Sequence, residues 1–95
     1  MSHAVDVVAI ISTTPEHIER VAAAVSAAVP HVLAEDGCER YEFYLDLPKS
    51  RLFAVERWRD AAALDVHAKA PALTVLSEAI AGLATVEVNR ITPLR

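Results

Sequence analysis

The chain has 95 residues, of which 54% are hydrophobic and 5% aromatic, and nine basic against thirteen acidic side chains give a formal net charge of −4. That length matches one folding unit, so residues 1–95 are read as a single domain with no room for a second. The negative balance argues against neutralising nucleic-acid phosphates or docking on anionic lipid, and no apolar run approaches the ~20 residues that span a bilayer.

The start, Met1-Ser2-His3-Ala4, lacks the basic and then apolar blocks of a signal peptide, so the cytoplasm is the expected location. Val5 to Ile11 is a nearly unbroken β-branched run, the pattern of a strand covered on both faces. Thr13, Thr14 and Pro15 predict a helix start with a threonine cap. Ile18, Val21, Ala22, Val25, Val29 and Val32 then recur at helical spacing, with Glu16, Glu19 and Arg20 toward water. Pro30 is expected to kink or end that helix, because it removes a ladder bond and crowds the preceding turn.

Glu35-Asp36-Gly37 predicts a turn. From Arg40 to Asp46 the chain alternates, with Tyr41, Phe43 and Leu45 on one face and Arg40, Glu42, Tyr44 and Asp46 on the other. Pro48-Lys49-Ser50 separates this strand from Leu52 to Trp58, which predicts an antiparallel hairpin. Asp60 caps a short helix through Ala70, Pro71 opens another carrying Leu73, Leu76 and Ile80, and Gly82 stops it before a last strand from Thr85 to Ile91. The order is βαββαβ, an α+β fold of ferredoxin-like type with an antiparallel sheet and helices on one face. The apolar excess and the uncovered sheet face predict a second copy of the chain as partner.

No phosphate-binding loop, dinucleotide fingerprint or nucleophile elbow is present. Cys38 is the single cysteine, and His3, His17, His31 and His67 are scattered without ligand spacing, so neither an internal disulfide nor a metal site is expected. Attention falls on Glu56-Arg57-Trp58-Arg59-Asp60 and the following Leu64 and His67. Glu56 and Trp58 share a strand face with Leu52 and Ala54, while Arg57 points the other way. His67, three residues after Leu64, lies on the same inward stripe, so Trp58 and His67 are expected to meet between helices and sheet.

Each of these residues also has a plainer structural role. Trp58 is bulky core material, His67 can be a buried histidine with one partner, and Glu56 can pair with an arginine across the sheet. Eighteen alanines leave little bulk around them, which makes room for a flat ligand. Tyr41 and Tyr44 point to opposite faces, so at most one lines a given pocket. Arg40 and Arg90 are placed at the sheet surface or a subunit contact, and Cys38 is read as a small hydrophobe with no adjacent base.

Taken together, Glu35-Asp36-Gly37-Cys38 before Tyr41, then Glu56-Arg57-Trp58-Arg59-Asp60, then Ala63-Leu64-Asp65 and His67, resemble the antibiotic biosynthesis monooxygenase family of small dimeric α/β barrels, which includes quinol monooxygenases. The resemblance implies a homodimer whose sheets pack face to face, with a pocket in each subunit between helices and sheet. It implies oxidation of a small phenolic or quinol-like aromatic by dioxygen with no flavin, haem or metal cofactor. Trp58 and His67 would be the catalytic pair, Trp58 flanking the substrate ring and His67 serving as acid/base, with Tyr41, Tyr44, Glu56 and Leu64 as substrate-binding residues. Ala54 stands where some aromatic-oxidising members carry asparagine, Leu64 replaces a tyrosine of those enzymes, and the first strand lacks the asparagine of haem-degrading relatives. An isomerase or other proton-transfer enzyme of the same fold, or a non-enzymatic ligand-binding dimer, are the alternative readings.

Overall fold

The computed structural model describes residues 3–94; Met1 and Ser2, part of the stretch read above for a signal peptide, lie outside the described residues. Four strands and three helices follow one another as β1 (Val5–Ser12), α1 (Ile18–Leu33), β2 (Cys38–Asp46), β3 (Arg51–Trp58), α2 (Ala61–Ala68), α3 (Pro71–Ile80) and β4 (Thr85–Ile91). The sheet runs in the order β2-β3-β1-β4 with every neighbouring pair antiparallel, the ferredoxin-like α+β fold that the element order implied. Among the described residues no helix is long and apolar enough to cross a membrane.

Register decides which side chains meet. Ala9 pairs with Ala54 and Val88, Val7 with Glu56, and Tyr41 with Glu56, so the inward residues of four strands share the face covered by the helices. Against that face α1 buries Ile18, Val21, Val25, Ala28 and Val32, alternating steps of three and four residues. All but Val32 pack with Ile11, Leu52, Leu76 and Ile80 in one cluster, while Val7, Val32, Tyr41, Trp58 and Ala63 form a second beside it.

Within the single chain only one face of β1 is covered: Val7, Ala9 and Ile11 are buried, but Val8 and Ile10 stay half-buried because the helices lie on one side of the sheet. Helix α1 begins at Ile18 rather than at the threonines. Thr13 Oγ1 donates to the Leu83 carbonyl at 2.6 Å, tying the strand end to the loop before β4, and so is not free to cap. The backbone amides of His17 and Ile18 instead reach Thr14 O at 3.0 Å. Nor does Pro30 end the helix, which continues to Leu33. The carbonyl it leaves unpaired belongs to exposed Ser26, where water can serve it, and continuing the helix buries Val32 completely. Leu45, expected beside Tyr41 and Phe43, is half exposed near the end of its strand.

The hairpin forms as the pattern predicted, with a single 3₁₀ turn at Leu47–Lys49 and Ser50 in the left-handed region at φ 51°. Asp60 caps α2 by accepting from Ala63 N at 2.9 Å. A bulge between Cys38 and Arg40 pairs Cys38 with Trp58 and Arg40 with Arg57. Strict alternation would send Cys38 and Tyr41 to opposite faces; the extra residue, Glu39, puts both on the helix side.

Candidate functional site

Between the sheet and helices α2 and α3 lies a chamber of about 220 Å³. Its floor is Ala9, Ile11, Ala54 and Glu56, its roof Leu64, His67, Leu73 and Leu76, and Tyr41 and Phe43 close one end while Val86 and Val88 edge the other. Small side chains at Ala9 and Ala54 create the space, since they pair directly across β1 and β3 and leave no bulk above the sheet. Val86 and Val88 stay more than half exposed because β4 is an edge strand, so the chamber opens along it.

Four of the residues singled out in the sequence line this space: Tyr41, Glu56, Leu64 and His67. Trp58 does not. Its indole is fully buried, its face stacked on the His67 ring at 4.3 Å between centroids and 28° between planes, and its Nε1–H donates to Glu56 Oε1 at 2.9 Å. The expected ring platform for substrate thus does not front this chamber, and the imidazole covers one face of the indole. Tyr44 is also outside. It is exposed on the opposite sheet face, where its hydroxyl donates to Glu42 Oε1 at 2.9 Å, because residues of odd separation on a regular strand cannot share a side with Tyr41.

Among the described residues Glu56 has no arginine partner of the kind expected for a strand carboxylate; the indole N–H takes that place. Burial pushes its carboxyl above the ordinary value, outweighing the indole hydrogen bond and the attraction of His67. The Tyr41 phenol is pushed strongly upward, by burial first and then by the Glu56 and Glu35 carboxylates, so it remains a neutral hydroxyl. Burial and the same two carboxylates raise the Cys38 thiol, which makes it a poor nucleophile. Arg40 and Arg90 lie at the surface as expected, paired with Glu42 at 2.9 Å and Asp65 at 3.8 Å.

One residue of the site was read only as part of a turn. Glu35 follows α1, and its Oε1 lies 2.8 Å from His67 Nδ1. The signal available in the sequence was a carboxylate preceding the glycine turn, but nothing there measures its distance to a helix 32 residues away. A larger groove of about 510 Å³ runs between α1 and α3, lined chiefly by alanines with His31 and Glu35 as its polar members. The smaller chamber gathers the imidazole, the carboxyl and the phenol, and is the better candidate for chemistry.

Residues 4–79 match the family model described as antibiotic biosynthesis monooxygenase, more than three-quarters of the chain. The chain belongs to the antibiotic biosynthesis monooxygenase family. Among solved structures, this family member is similar to Rv0793 from Mycobacterium tuberculosis, with 29% identity, 98% of this chain and 97% of that one covered, and a TM-score of 0.87. It is equally similar to PA3566 from Pseudomonas aeruginosa, with 29% identity, 100% and 98% coverage and a TM-score of 0.88. A third structure, of an antibiotic biosynthesis monooxygenase, shares the fold at 24% identity, 96% and 99% coverage and a TM-score of 0.86. No curated protein matches the sequence.

Proposed function

We propose that this member of the family is a cofactor-independent monooxygenase that oxidises a small phenolic or quinol-like aromatic with dioxygen. The observation that carries the reading is a histidine set in the wall of an apolar chamber beside a buried carboxyl and a neutral phenol. An engineered apolar cavity of ~150 Å³ accepts benzene, so 220 Å³ suits one substituted ring. Among the described residues no lysine or arginine lines the chamber, which favours an uncharged guest over a carboxylated one.

The chemistry needs a base and a dry site. His67 takes the proton of a substrate hydroxyl, and the resulting phenolate is electron-rich enough to pass one electron to dioxygen. The phenoxyl radical and superoxide combine at a ring carbon to a hydroperoxide, which loses water to give the quinone. For a simple phenol, one oxygen atom stays on the ring and the other leaves as water, whose two hydrogens come from the hydroxyl and the ring carbon. The ring supplies all the electrons. Tyr41 and Glu56 offer hydrogen bonds to the substrate oxygens, and Leu64 covers the ring.

The subunit pairs with a second copy through its open sheet face. Val8, Ile10, Phe53 and Val55 form the half-buried apolar centre of that face, ringed by the Arg57–Asp6 and Arg40–Glu42 ion pairs.

Oxygen uptake by the metal-free protein with a panel of quinols and phenols tests the function. His67→Ala is expected to lower kcat/KM by at least ~10²-fold, the usual contribution of a general base. Wild-type rates in that variant would refute the assignment. Turnover that persists without oxygen would instead establish a proton-transfer enzyme.

A further inference from the structure

Reading His67 as the base leaves the half-buried Glu35 without a function, and its surroundings supply one. We propose that Glu35 is a positioning residue that fixes the His67 imidazole in its Nδ1–H tautomer, so that Nε2 is the nitrogen presented to a substrate hydroxyl. The inference rests on the reading of His67 as base, but the tautomer itself is a property of the substrate-free protein.

The contact is short and dry. His67 Nδ1 and Glu35 Oε1 lie 2.8 Å apart, with side-chain exposures of 6% and 16%. With Glu35 ionised its oxygen can only accept, which assigns the hydrogen in this contact to Nδ1. Glu35 Oε2 is buried with no hydrogen-bond partner among the described residues. No second donor shares the charge, so the carboxylate acts on the imidazole alone, holding the ring and stabilising the imidazolium that forms when Nε2 takes a proton.

The turn carrying Glu35 is built to hold it there. Gly37 O accepts from Arg59 N at 2.7 Å, and the Arg59 guanidinium donates twice to Asp36 at 3.2 Å, clamping the turn to the end of β3. A Cβ on Gly37, whose φ is +85°, would lie 2.6 Å from the Ala63 Cβ of α2, the helix that carries His67. Only glycine permits the turn to come that close. Other groups face the ring without bonding to it. Glu56 approaches from β3, Tyr41 from β2 at 5.7 Å between ring centroids, and Trp58 stacks at 4.3 Å, while Cys38 neighbours both carboxylates. Glu35 is the one hydrogen-bond partner of the His67 ring among the described residues.

Nitrogen-15 NMR of the histidine side chains in the substrate-free protein reads the tautomer directly. The wild type is expected to show His67 with Nδ1 protonated and Nε2 bare, and a dominant Nε2–H form would overturn the proposal whatever the variants do. In Glu35→Gln, whose amide can donate as well as accept, the two tautomers are expected to mix; in Glu35→Leu the Nδ1–H form is expected to lose its preference. Glu35→Gln should lower kcat about 10²-fold while KM changes less than about threefold, as for loss of an interaction needed in the transition state. An unchanged tautomer or a kcat within about threefold of wild type would refute the role. If His67→Ala keeps full turnover while Glu35→Gln shifts the tautomer, the base assignment fails and the positioning of the ring stands.

Discussion

Replacing Trp58 by phenylalanine separates the two roles open to that residue. The substitution removes the Nε1–H that donates to Glu56 Oε1 at 2.9 Å inside a fully buried site. Leaving that carboxyl oxygen without a donor costs about 1–3 kcal/mol. The smaller ring leaves a void on the order of 30 Å³, one water's share of liquid volume, or about 0.7 kcal/mol at ~24 cal/mol per Å³, with a further ~1 kcal/mol for the lost apolar atoms. The total is about 3–5 kcal/mol, a large part of the ~5–15 kcal/mol that holds a domain together. Because Trp58 is the single tryptophan, unfolding is followed in urea by circular dichroism rather than by fluorescence. The same substitution is made in a Glu56→Leu background, where no carboxyl remains to be orphaned, and the double variant is expected to be more stable than the sum of the singles by about 1–3 kcal/mol. Additivity within about 0.5 kcal/mol would refute the indole–carboxyl bond as a stabilising contact. Since the indole lies outside the chamber, KM in Trp58→Phe should change less than about threefold; a rise of tenfold or more would restore the platform role.

Glu56→Gln tests the buried carboxyl by its pH dependence. Burial raises the Glu56 carboxyl in the folded state, so folding favours the protonated form and stability is lost as pH rises above the ordinary glutamate value of 4.5. The amide keeps an oxygen for the indole and carries no charge, so the variant should match wild type near pH 4 and melt higher at pH 8, by about 4–8 °C for each kcal/mol recovered. A melting difference that does not change between those pH values would contradict the assignment. On the open sheet face, Phe53→Glu places a charge in the apolar centre proposed to meet a second copy. Light scattering should give twice the chain mass of 10.3 kDa for wild type and the chain mass for the variant; a wild-type monomer at micromolar concentration would remove the dimer.

The local devices of the fold were legible because each is written in a few neighbouring residues. The valine and isoleucine run of β1, the Pro48-Lys49-Ser50 break of the hairpin, Asp60 as a cap and Gly82 as a stop all describe short-range preferences, and all appear where the pattern put them. The misread devices had a tertiary competitor. Thr13 is drawn from its capping role to the Leu83 carbonyl 70 residues away, and α1 outlasts Pro30 because Val32 is buried completely.

The sequence by itself determined the element order, the inward faces and the turning of Glu56, Leu64 and His67 toward the space between helices and sheet, since periodicity fixes the side on which a residue stands. What only the tertiary structure decided is the arrangement within that space. Periodicity gives a direction but no distance, so it could not tell that the imidazole covers the face of Trp58, or that the turn clamped by Arg59 carries Glu35 to within 2.8 Å of His67. Those contacts follow from how closely α2, the turn and β3 approach one another, and Gly37, Ala63 and the register of β3 set that approach together.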